Sequence, residues 1–199
     1  MNSVSLITRV RYEELYSRMK KSANETSNGD IHFLWEQDMV GLPQCAKTYN
    51  YLAGLANDDV LCFVHDDIEF MSDGWDTIIK KLFSIHDMDI IGVVGSKRYD
   101  GGRVIDAGIP YLVGQYAFEP PGNKGTTCVK MLSRYDQMTK VRVIDGMIMF
   151  VRSSFHKTHP FDITFDELFF YDIDYCLQTD KVGVTGDVLF TTVGASAGD

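Results

Sequence analysis

Val60-Leu61-Cys62-Phe63-Val64 is a run of five apolar residues that breaks at His65 into Asp66, Asp67 and, after Ile68, Glu69. An apolar run of that length ending in charge fits a strand covered on both faces, as in the parallel sheets of α/β domains. In such sheets ligands bind beyond the carboxyl ends of the strands. Two adjacent carboxylates at that edge repel one another and are costly to desolvate without a counter-charge. A hard divalent cation meets the need, because Mg2+ and Mn2+ take carboxylate, phosphate and water oxygens, and it would hold a diphosphate there. The same residues equally make a strand running into a solvated acidic turn, since aspartate is common in turns.

The flanking sequence supplies a suitable frame. Residues 3–9 read as a first strand, and Tyr12, Leu15, Tyr16 and Met19 follow at helical spacing. Ile31–Trp35 reads as a second strand, which leaves Asp38 as a further carboxylate at a strand exit. Leu42, Cys45, Ala46, Tyr49, Leu52, Ala53 and Ala56 make one face of a helix with Pro43 near its first turn. Lys47 and Asn50, three apart, share its polar face, which solvent would equally explain. Asp73 is expected to cap a helix whose apolar face is Trp75, Ile78, Ile79, Leu82 and Phe83, and Ile90–Gly95 reads as one buried strand. The order βαβαβαβ predicts an α/β domain with a largely parallel sheet.

From 96 to 140 the periodicity dissolves into glycine-punctuated pieces, and residues 114–140 are expected to form a mobile loop on the acceptor side of a site. Val141–Val151 reads as a strand interrupted by Asp145-Gly146, which marks either a close ligand or a bulge. Between Phe161 and Leu177, aspartates and one glutamate alternate with aromatics. Carboxylates in such surroundings can have raised pKa values and serve as general bases, while Asp172 would equally start a helix.

Composition narrows the partners. At 199 residues and 45% hydrophobic, the chain suits one compact domain spanning 1–199. A net charge of −9 opposes binding to nucleic acid or an anionic membrane surface, so phosphates would have to be met locally by a metal and a few Lys or Arg. Cys45, Cys62, Cys128 and Cys176 have no metal-ligand spacing and read as reduced thiols. With no leader pattern and no run of membrane-spanning length, the expectation is a cytoplasmic protein without membrane insertion.

Four blocks now stand in order: the helix with Tyr49-Asn50, the strand ending His65-Asp66-Asp67-Ile68-Glu69, the strand Ile144–Arg152, and Phe161-Asp162 through Phe169-Phe170-Tyr171-Asp172-Ile173-Asp174-Tyr175-Cys176-Leu177. Together they resemble nucleotide-sugar glycosyltransferases of the GT-A fold, family 2 and its short relatives, over about residues 3–198. The resemblance implies a Rossmann-like single domain with a central mixed, mostly parallel sheet flanked by helices. Residues 1–95 would be its nucleotide-binding part and 96–199 its donor-sugar and acceptor part. It implies Mn2+ or Mg2+ on Asp67, with Glu69 as a second ligand, and Asp66 near the ribose. Asp38 would contact the base, Asn50 and Lys47 would border the nucleotide with Thr8 and Trp75 as neighbours, and Asp145 and Gly146 would floor the donor sugar. Asp172 would deprotonate the acceptor hydroxyl in an inverting transfer.

The implied donor is a UDP-sugar, less readily a dTDP-sugar, carrying a hexose or deoxyhexose, and the acceptor a glycan or glycoprotein. The chain is also similar to compact amino-terminal transferase domains of large algal (chlorella) virus proteins that glycosylate the capsid. That likeness implies host cytoplasm and a domain cut from a longer polypeptide. In one respect the sequence departs from the pattern, reading Gly194-Ala195-Ser196-Ala197-Gly198 where many relatives have His-x-Ser-x-Gly. The departure leaves room for a non-catalytic nucleotide-sugar or glycan-binding module. A sugar-phosphate nucleotidyltransferase would need a Gly-rich loop at Thr8–Tyr12, and an aspartyl phosphatase an Asp-x-Asp after the first strand; neither is present.

Overall fold

The computed structural model describes residues 3–37, 45–118, 127–133, 137–164 and 170–193. Along the chain these form β1 (Ser3–Val10), α1 (Glu13–Thr26), β2 (Asp30–Gln37), α2 (Cys45–Leu55), β3 (Val60–Val64), β4 (Ile68–Phe70), α3 (Trp75–Ile85), β5 (Ile90–Gly92) and β6 (Val94–Ser96). A 3-10 turn (Val104–Ala107) leads to β7 (Leu112–Phe118), β8 (Cys128–Ser133), β9 (Met138–Lys140), β10 (Val143–Ile144), β11 (Ile148–Arg152), α4 (Ser153–Thr158), α5 (Tyr171–Leu177), β12 (Val182–Thr185) and β13 (Phe190–Thr192).

The expected α/β architecture is present, but the strands divide between two sheets. A seven-stranded sheet runs β2-β1-β3-β11-β5-β12-β9, and a six-stranded sheet runs β10-β6-β7-β13-β4 with β8 also pairing antiparallel to β7. In the larger sheet β1 lies parallel to β2 and β3, and β5 to β12, while β11 runs antiparallel to both β3 and β5. β3 is buried at all five positions, as its apolar run requires. Helix α1 packs on β4 and β2 through Tyr16, Met19 and Ala23, and α2 packs on β1 and β2.

Three expectations change in detail. Ile90–Gly95 is not one strand: it breaks at Val93, with β5 joining the larger sheet and β6 the smaller. Gly114 pairs with Val94 in the antiparallel β6–β7 ladder, at φ +117, and a Cβ there would fall 1.9 Å from the Val93 carbonyl oxygen. Only glycine permits that approach. Of residues 114–140, expected to form a mobile loop, 114–118, 128–133 and 138–140 are paired strands, while 119–126 and 134–136 lie outside the described residues. Nor does Asp73 cap α3: Gly74, at φ +69, takes that position, and buried Asp76 accepts from Asn28 N–H (2.8 Å) and Lys80 (2.8 Å). Among the described residues no helix is long and apolar enough to cross a membrane, and all four cysteines are free thiols.

Candidate functional site

The chain passes between the two sheets at His65-Asp66-Asp67, at Val93, at Asp145-Gly146-Met147 and between β12 and β13. These junctions are stitched to one another. His65 N–H donates to Met147 O (3.1 Å) and Asp145 N–H to Val94 O (3.0 Å). The loop leaving β1 is held against the same seam by Asp66, whose Oδ2 accepts from Arg11 N–H (2.6 Å) and Tyr12 N–H (2.9 Å). Where the seam meets the first turn of α5, a cavity of about 410 Å3 opens. That volume lies in the usual range for small-molecule sites.

Four of the sequence-predicted carboxylates come together on this cavity. Asp66, Asp67, Asp145 and Asp172 line it, with Gly146 between the last two. Asp172 Oδ2 accepts from Gly146 N–H (2.7 Å) and Oδ1 from Ile173 N–H (2.8 Å), so the carboxylate is fixed against the Asp-Gly junction. Asp145 folds back to accept from Met147 N–H (3.0 Å). Burial, and then the Asp145 charge, push the Asp172 carboxyl up to about 6 despite those backbone donors. A carboxylate so poised can take a proton near neutral pH.

Beneath the cavity lies an aromatic floor. Tyr171 Oη contacts His65 Nε2 (3.2 Å) and donates to Gly146 O (3.3 Å). Its ring packs on Tyr49 and Phe161, and Phe161 stacks on Tyr175 at 4.1 Å between centroids. Burial holds the Tyr49 and Tyr171 hydroxyls well above the usual tyrosine range and lowers His156 to about 4. The floor is therefore uncharged at neutral pH.

Other expected site residues stand elsewhere. Glu69 bonds Arg18 Nε at 2.6 Å and does not line the cavity, because strand alternation turns it away from buried Ile68 and Phe70. The Asn50 amide brackets Phe161, donating to its O (2.9 Å) and accepting from its N–H (3.0 Å); it positions the aromatic floor. Lys47 is exposed on α2, and Thr8 is buried within β1; neither lines the cavity, and Trp75 is buried in the core. Asp38 and Gly194 lie outside the described residues.

For a divalent cation the fit is partial. Among the described residues no set of three Asp, Glu, His or Cys gathers to hold a metal. Asp66 and Asp145 each spend an oxygen on backbone N–H groups, and Glu69 is engaged by Arg18. This lining suits at most a cation that would arrive with a diphosphate and keep water ligands, with Asp67, on the cavity wall, as its protein contact.

Sequence reasoning missed the basic side of the cavity. Arg9, Arg11 and Arg103 line it together with His65 and Tyr49. The requirement for local cations was readable from the net charge, but not which arginines meet it, since Arg103 comes from the glycine-rich stretch far along the chain.

The model of the glycosyltransferase-like family matches residues 5–190. No curated protein sequence matches the chain significantly. Among solved structures, Staphylococcus aureus TarS 1–349 in complex with UDP-GlcNAc superposes with a TM-score of 0.60 at 10% identity, covering 98% of this chain and 60% of that one. Full TarS gives the same TM-score, with this chain spanning 37% of its length. A197 from STIV gives 0.51 at 10% identity, over 94% of this chain and 83% of that one. At such identities the likeness is one of fold.

Proposed function

The chain belongs to the glycosyltransferase-like family, and from that premise we propose that it transfers a sugar from a nucleoside diphosphate sugar to an acceptor hydroxyl with inversion, Asp172 acting as the base. The observation that carries this reading is the Asp172 carboxylate. It is fixed by the Gly146 and Ile173 N–H groups, raised to about 6, and faces the same cavity as Asp66 and Asp67.

In this reading the acceptor oxygen attacks the anomeric carbon as the bond to the diphosphate oxygen breaks. Asp172 takes the hydroxyl proton, and the nucleoside diphosphate leaves with the bonding electron pair. Gly146 leaves room for the Asp172 carboxyl to sit against its backbone, and the uncharged floor of Tyr49 and Tyr171 excludes water from the sugar. A divalent cation, Mn2+ or Mg2+, bound with the diphosphate at Asp67 would supply Lewis-acid charge neutralisation at the leaving group. UDP is the preferred nucleotide and dTDP the lesser one, with a hexose or deoxyhexose as the sugar and a glycan or glycoprotein as acceptor. The capsid of a large algal virus is the acceptor setting that the sequence resemblance implies.

A thermal-shift and calorimetry panel of UDP, dTDP, GDP and their sugars, with Mn2+ and with chelator, tests the donor site. Stabilisation by one nucleotide family, with release of that nucleotide over many turnovers once an acceptor is added, is the expected result. Binding of sugars with no response to any nucleotide would replace this reading with a glycan-binding module.

A further inference from the structure

The donor site as proposed has an electrostatic problem. A diphosphate must enter a cavity lined by Asp66, Asp67, Asp145 and Asp172, in a chain of net charge −9. A cation held by Asp67 alone binds weakly before the nucleotide arrives, since hard cations give up water reluctantly. Something else must seat the phosphates.

We infer that Arg9, Arg11 and Arg103 form that seat, so that a nucleoside diphosphate binds this chain without a divalent cation, with Arg103 exchanging its carboxylate partner Asp106 for phosphate. The inference rests on the donor-site reading above. All three side chains line the cavity. Arg9 is the penultimate residue of β1, paired in register with β2, and Arg11 follows the strand on a loop whose backbone is already fixed by Asp66. Two of the three guanidinium groups thus hang from a pre-set backbone, and the guanidinium fork matches phosphate oxygens in pairs.

Arg103 comes from a separate segment and is differently held. It stands between this cavity and a smaller one of about 120 Å3. Its Nη2 and Nε reach Asp106 Oδ1 and Oδ2 at 3.2 and 3.4 Å. Both side chains are exposed, and an exposed pair of this kind contributes little stability, so exchanging it for phosphate costs little. The turn that carries them lies between Gly101, Gly102 and Gly108, at φ +104, +80 and +65, positions where glycine alone moves without strain. A divalent cation would add to this seat and is not required to form it.

The test is calorimetric titration of the full chain with UDP and with uridine, each in EDTA and in Mn2+, for wild type, Arg11→Gln, Arg103→Gln and Asp106→Asn. Wild type is expected to bind UDP in EDTA. Arg11→Gln and Arg103→Gln should each weaken UDP about tenfold or more in EDTA while leaving uridine unchanged. Asp106→Asn should tighten UDP, because it releases Arg103. UDP binding that appears only with Mn2+ and ignores the arginine substitutions would overturn the seat and leave the donor site standing. Equal weakening of uridine and UDP would also overturn it, as damage to the site at large. Failure of UDP and uridine to bind under every condition would remove the donor-site reading itself.

Discussion

Gly146→Ala puts the geometry around Asp172 under direct strain. A Cβ at residue 146 would lie 2.8 Å from Asp172 Cβ, 2.8 Å from Tyr171 Oη and 2.9 Å from Asp172 Oδ2. Carbon atoms in contact sit about 3.5–4.0 Å apart, so the Asp172 side chain must retreat by about 1 Å. That retreat also stretches the 2.7 Å bond from Gly146 N–H. Overpacking of this kind costs about 1–3 kcal/mol of stability. A displacement of about 1 Å in a reacting group costs on the order of 100-fold in rate. Gly54→Ala on α2 is the matched control, since nothing lies within 4 Å of its Cβ position. It should gain about 0.5–1 kcal/mol and leave the rate alone. Urea denaturation gives the stabilities, and initial rates of nucleotide release at saturating donor and acceptor give the activities. A Gly146→Ala protein with wild-type rate and stability would refute the claim that this glycine makes room for the base.

Because Asp172 is raised to about 6 and acts deprotonated, kcat/KM should climb as pH rises through about 6 and then level off; a profile flat from pH 5 to 8 would contradict it. Asp58 pins the opposite end of the sheet by accepting from Ser3, Ser5 (2.6 Å) and His32 Nδ1 (2.9 Å). Burial raises its carboxyl, but these bonds outweigh that and leave it below the usual range. Its contribution is therefore present above about pH 4 and lost as pH falls through the lowered value; Asp58→Asn should cost about 1–3 kcal/mol at pH 7 and flatten the acid limb of the pH–stability curve. Arg152 donates to the carbonyls of Phe83, His86 (3.2 Å) and Met88 (2.6 Å) at the end of α3 and lies over the Phe83 ring. Arg152→Met should lower unfolding free energy by about 2–4 kcal/mol in urea, by stranding those carbonyls and removing a cation from the helix terminus.

The α/β architecture could be read from the sequence because the apolar run at 60–64 and the helical spacings around it are local signals. Partition between two sheets could not. Strand periodicity says that a segment is extended and buried; it does not say which neighbour it pairs with, so Ile90–Gly95 read as one strand although Val93 sends its halves apart. Asp145-Gly146 was ambiguous between a bulge and a ligand floor for the same reason. The structure places it at a junction between sheets, where Asp172 reaches its backbone. Asn50 could not be told from a ligand contact by its helical position alone, because its partner Phe161 lies 111 residues away. The arginines were visible only as composition until the exit of β1 and the 3-10 turn brought them to one cavity.

The most direct test of the account is turnover by Asp172→Asn. Multiple-turnover nucleotide release is measured with donor and acceptor, alongside donor affinity and melting temperature at pH 8. The account predicts a rate lowered about 100-fold or more with donor affinity unchanged; melting temperature serves as the check on folding, since the amide relieves a carboxylate that is hard to ionise there but gives up one of the two backbone N–H bonds. Undiminished turnover in that variant, with donor binding intact, would contradict the assignment of Asp172 as the base and the inverting mechanism built on it.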